Sequence, residues 1–126
     1  MLGKKDEETI RAMGAFGGGL GGNGEVCGAL VGALAVLGLR FSRAREDEKE
    51  DPRMWSFCQE MAERFRREIV KNHEGIRCRD IAGVDWRDRD QVRAFYRGEK
   101  LSECGRIVGD AARLLSDLVG RSLSGA

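Results

Sequence analysis

The chain has one proline, one histidine, no Cys-x-x-Cys pair and almost no net charge, at +1 from 22 basic and 21 acidic residues. Each shortage closes a route. The balanced charge leaves no electrostatic footprint for nucleic acid and no attraction to an anionic membrane surface. The missing Cys-x-x-Cys-His removes covalent c-type haem. A lone histidine leaves little choice of base for a nucleophile–base triad. The missing Gly-Lys-Ser/Thr removes a Walker phosphate loop. The longest apolar run, Val26–Leu39, carries three glycines and is too short to span a bilayer easily. Met1–Thr9 is charged and mixed in sign, unlike a signal peptide. A cytoplasmic location is therefore expected.

What is present reads as one globular helical domain over residues 1–126, with 41% hydrophobic and 34% charged residues. No sustained period-two alternation signals a strand. The apolar spacing predicts a short helix over Asp6–Phe16, with Thr9, Ile10, Met13 and Phe16 as its stripe. It predicts a second over Glu25–Leu39, apolar all round and so central and buried, stopped near Gly38. Gly28 and Gly32, four apart, predict a neighbouring backbone packed very close. Pro52 opens a third helix reaching Lys71, with Trp55, Cys58, Ala62, Phe65 and Ile69 as its apolar positions. Shorter turns are expected at Cys78–Ala82 and Asp90–Tyr96. A last helix runs from an N-cap at Ser102 to about Val119. The fold class is all-α, an irregular bundle of about four to six helices around the small-residue-rich helix.

The chemistry concentrates at sulfur. Cysteines stand at 27, 58, 78 and 104. Three of them, Cys27, Cys78 and Cys104, each follow a glycine-containing break and open a predicted helix. Free N–H groups and the positive end of the helix dipole meet there, which favours a thiolate. Arg77 and Arg79 flank Cys78 and add to that expectation. Cys58 falls mid-helix on an apolar face and reads as core. In a reducing compartment such cysteines are free, catalytic or metal-bound more often than structural disulfides, although two disulfides remain open.

Before Cys27 runs Gly17–Gly24, GGGLGGNG. Gly17, Gly19 and Gly22 fit the dinucleotide fingerprint, but no strand precedes them and no acidic residue follows at the required place. The loop instead makes tight turns or lets backbone approach something closely.

The stretch Ala15–Gly32, with Cys27-Gly28-Ala29 and Gly32 at its centre, is followed by Ile76-Arg-Cys-Arg-Asp80 with Gly83 and by a single Cys104 before the last helix. Together these segments resemble the C_GCAxxG_C_C family of redox-active proteins, named for its cysteine pattern. Cys78 and Cys104 fall where the family's last two cysteines stand. The resemblance covers roughly Ile10–Leu118 and implies a redox or metal-binding role resting on the cysteines. The family's leading cysteine precedes the glycine loop, and here Met1–Phe16 has none.

The leading functional expectation is that Cys27, Cys78 and Cys104 converge as a thiol/disulfide site or as metal ligands, exchanging electrons with an unspecified redox partner. Zinc or an iron–sulfur cluster suits thiolates, and a fourth position falls to water, substrate or His73. The alternative is a non-catalytic binding or assembly module, with structural cysteines and Gly28/Gly32 packed on a partner helix, as in a homodimer. A third reading places an anionic cofactor on the loop amides of Gly19, Gly21, Gly22 and Gly24.

Overall fold

The structure, a computed structural model, describes residues 2–124. Six α-helices are formed: α1 (Glu7–Met13), α2 (Gly28–Phe41), α3 (Arg53–Arg64), α4 (Cys78–Ile81), α5 (Arg89–Arg97) and α6 (Glu99–Leu123). A 3-10 turn, Gly14–Phe16, extends α1, and a π-helical turn, Phe65–Ile69, extends α3. Among the described residues the only strand-like pairing is an isolated antiparallel bridge between Val26 and Arg77. The all-α class therefore holds. None of these helices is long and apolar enough to cross a membrane.

α2 packs against both α3 and α6. Leu30, Ala33 and Leu37 of α2 meet Met54, Phe57 and Met61 of α3, and Ile107, Ala111 and Leu118 of α6 close the third side. Each fully buried side chain of this size contributes about 1.5–3 kcal/mol. Phe41 and Phe57 stack with centroids 5.4 Å apart. Arg121 of α6 donates to Glu60 of α3 at 2.7 and 3.0 Å across the bundle's outer edge.

Several sequence expectations shift. α2 starts at Gly28 rather than Glu25 and passes Gly38 to reach Phe41. It is central but not buried all round: Leu39 is 55% exposed, and Gly32, Ala35 and Val36 line an open apolar groove beneath α1. The close approach expected at both glycines exists at one. A Cβ on Gly28 would stand 3.2 Å from the Phe16 carbonyl oxygen, whereas one on Gly32 would meet nothing within 4 Å. On α3 the buried face is Met54, Phe57 and Met61, continuing into Phe65. Trp55 is outside, donating its indole N–H to Glu50 at 2.9 Å. Helical periodicity tolerates either assignment over one turn, because apolar residues crowd both sides of positions 54–58. The stripe expected on α1 buries nothing; Ile10 is 58% exposed.

Candidate functional site

The glycine loop is shaped by backbone sign. Gly18, Gly19, Leu20, Gly21 and Gly22 all have positive φ, between 60° and 75°, and Gly24 repeats it at 70°. Side chains resist that region, so glycine recurs here, and Leu20 is the single non-glycine among the described residues to accept it. Gly19 carries the tightest requirement. A Cβ there would lie 2.5 Å from the backbone N and O of Glu25 and 2.7 Å from the Cβ of Cys78. The loop thus lies directly against one of the candidate sulfurs.

Its own amides close it. Gly22 N–H donates to Gly17 O and Gly24 N–H to Gly18 O, both at 3.0 Å. Those two groups, expected to face an anion, are engaged inside the loop. The arginine beside it is engaged as well: Arg79 donates to the carbonyls of Asn23 and Gly24 at 3.0 Å and pairs with Glu25 at 2.7 Å. Gly22 and Gly24 thus spend their N–H groups on closing the loop.

From the loop the chain enters the bridge. Cys27 N–H donates to Ile76 O (2.9 Å) and Cys78 N–H donates to Glu25 O (2.6 Å). Residues two apart share a face of an extended segment, so Cys27 and Cys78 emerge on the same side of this short pairing. Cys27 is the N-cap of α2, and Cys78 is the first residue of α4. Asp80 closes the start of α4: it accepts from the Arg77 backbone N–H at 3.2 Å and from its guanidinium at 3.0 Å.

Cys104 arrives differently from the expectation. α6 begins at Glu99 with Gly98 as its N-cap, so Cys104 lies in the second turn rather than after a cap at Ser102. The long helix nonetheless delivers it to the same place. Cys27, Cys78 and Cys104 line one cavity of about 240 Å³, walled by Ile81, Trp86, Phe95, Ile107 and Val108. Trp86 donates its indole N–H to Cys78 Sγ at 3.3 Å and meets Phe95 edge to face. Cys58 stays outside, half-buried against the main core, as its mid-helix position predicted.

At Cys27 and Cys104 the expected electrostatics are reversed. Burial pushes the Cys27 thiol above its ordinary value of 9.0, outweighing the Ala29 and Leu30 backbone N–H groups that pull it down; Cys78 adds a further push. Burial also raises Cys104, and negative charge on Cys27 or Cys78 raises it more. In an apolar cavity, loss of water outweighs one helix terminus. The arginines flanking Cys78 are paired elsewhere, Arg77 with Asp80 and Arg79 with Glu25.

His73 does not join the sulfurs. Its Nε2 lies 2.7 Å from Glu103 Oε1, and it is not part of the cavity wall. Among the described residues no group of three or more His, Cys, Asp and Glu side chains is arranged to hold a metal ion. The donor set present does not fit the metal cage that the sequence allowed. Sequence reasoning missed Trp86 and Phe95. The one available signal was that a buried indole N–H needs an acceptor, and Cys78 stands eight residues earlier.

No curated protein and no solved structure matches the chain. The model of the family described as "Putative redox-active protein (C_GCAxxG_C_C)" matches residues 1–118, which include the loop, the cavity and all four cysteines, and the chain belongs to that family.

Proposed function

We propose that Cys27, Cys78 and Cys104 form a thiol/disulfide redox centre. One observation carries this reading: three sulfurs from distant parts of the sequence share one cavity, while the fourth cysteine does not. Oxidation of any two breaks two S–H bonds and forms one S–S bond, with two electrons and two protons passing to the partner. The third sulfur is left beside the new disulfide and can attack it, so the bond can migrate among the three. Burial favours the protonated form of Cys27 and Cys104, so each reacts only as its proton leaves the sulfur.

The test is thiol counting by alkylation and mass spectrometry on reduced and oxidised protein. The expected result is one intramolecular disulfide drawn from Cys27, Cys78 and Cys104, with Cys58 alkylated throughout. Oxidation that leaves all three alkylatable, or that consistently captures Cys58, overturns the proposal.

A second reading, assembly of two copies through α2, is favoured by the apolar groove left open at Gly32 and Leu39. Sedimentation of the reduced protein at two concentrations tests it; a monomer at both rejects it.

A further inference from the structure

We propose that the electron acceptor of this site is a small, uncharged, apolar molecule of the quinone class. The inference rests on the redox reading above and adds the substrate. In a chain with 34% charged residues, the cavity wall contains no Asp, Glu, Lys, Arg or His side chain. A charged disulfide such as oxidised glutathione would have to bring its carboxylates unpaired against Ile81, Phe95 and Ile107, which an apolar wall opposes strongly. The polar recess nearby lies elsewhere. A cavity of about 380 Å³ bordered by Asn23, Arg79, Asp85 and Arg87 shares Trp86 with the cysteine cavity but none of its sulfurs.

The cavity also continues outward. Gly28, Ala29 and Val108 belong both to it and to an apolar groove of about 320 Å³ between α2 and α6, which runs on past Gly32 to Leu115. Apart from Gly28 and Ala29, which open α2, those walls are mid-helix with their backbone groups held in their own ladders, so along the groove they offer an extended peptide few hydrogen bonds. A hydrocarbon makes no such demand. A planar ring fits beside Trp86 and Phe95, and a short tail fits the groove. The step balances: two thiols become one disulfide, and their two electrons and two protons convert quinone to hydroquinone.

The experiment uses the full reduced chain without oxygen and tetramethyl-1,4-benzoquinone, whose filled ring carbons block thiol addition. Hydroquinone formation is followed by absorbance and disulfides by mass. Saturable oxidation is expected, and replacing one ring methyl by n-butyl, which adds three CH2 groups, lowers the half-saturating concentration by about tenfold if half of them are buried and up to about sixtyfold if all are. Val108→Asp, confirmed folded by circular dichroism, raises it by about tenfold or more. If that variant does not fold, the butyl comparison still decides.

Oxidation that does not saturate, no gain from the butyl group, or tighter saturation by oxidised glutathione overturns the inference. Hydrogen peroxide separates the two readings. A disulfide with peroxide but none with the quinone defeats the quinone assignment alone; no disulfide with either defeats the redox centre as well.

Discussion

Gly19→Ala tests whether the loop is built around Cys78. Two costs add. An alanine held at φ 75° costs about 1–2 kcal/mol relative to an ordinary backbone. Its Cβ would also stand 2.5 Å from the Glu25 backbone and 2.7 Å from Cys78 Cβ, and backbone cannot swing aside as a long side chain does. Forcing a methyl into occupied space costs a further about 1–3 kcal/mol. The sum, about 2–5 kcal/mol, is a large part of the about 5–15 kcal/mol that stabilises a typical domain. At about 4 °C per kcal/mol for a chain of this size, Tm falls by about 8–20 °C.

Two other glycines calibrate the result. Gly21 has the same backbone sign, but its Cβ would meet nothing closer than 3.5 Å, so Gly21→Ala carries only the conformational cost of about 1–2 kcal/mol. Gly32 is helical with open space, so Gly32→Ala stabilises by about 0.5–1 kcal/mol. Urea denaturation of the reduced proteins, followed by circular dichroism, ranks the three. A Gly19→Ala loss no greater than that of Gly21→Ala refutes the steric argument. It would mean that Cys78 and the Glu25 strand yield freely to the loop.

Two more outcomes follow from the site. Trp86→Phe keeps an aromatic ring against Phe95 but removes the N–H donated to Cys78 Sγ, and it destabilises the reduced protein by about 1–2 kcal/mol in urea. With Cys78 released from that anchor, the share of oxidised protein carrying a Cys27–Cys104 disulfide rises in peptide maps; an unchanged distribution counts against Trp86 as the group that positions Cys78. The second outcome concerns alkaline pH. Cys27 and Cys104 hold their protons more tightly folded than unfolded, so the folded chain binds more protons once pH passes the ordinary thiol value of 9.0. Their contribution to stability is complete below that pH and declines above it. Urea midpoints of the reduced protein between pH 7 and 10.5 therefore fall more steeply than those of the Cys27→Ser/Cys104→Ser protein. Parallel slopes would show that burial of the two thiols is not linked to folding.

The sequence by itself determined the helical class and the places where the chain turns, because both depend on local chemistry. Apolar residues at helical spacing put helices at 25–39, 52–71 and 102–119, which overlap the observed 28–41, 53–64 and 99–123, and glycine runs can satisfy only turns or close approach. It also placed Cys27 and Cys78 at helix starts, a local property, whereas the start expected before Cys104 at Ser102 lies at Glu99 instead. Electrostatics at those cysteines was not local. The N–H groups at the start of α2 still pull the Cys27 thiol down, but loss of water outweighs them, and the walls that remove the water come from Ile81, Trp86, Phe95 and Ile107 on other segments. The inner face of α3 was equally undecided, because Met54, Trp55, Phe57 and Cys58 offer apolar surface on both sides, and only contact with α2 and α6 selects one. The meeting of three sulfurs depends on the Val26–Arg77 bridge, which joins residues 51 apart, and on α6, which begins at Glu99 and carries Cys104 in its second turn. Spacing along the chain does not encode either pairing. Tertiary structure decides them, through burial of the apolar faces that each helix cannot cover alone.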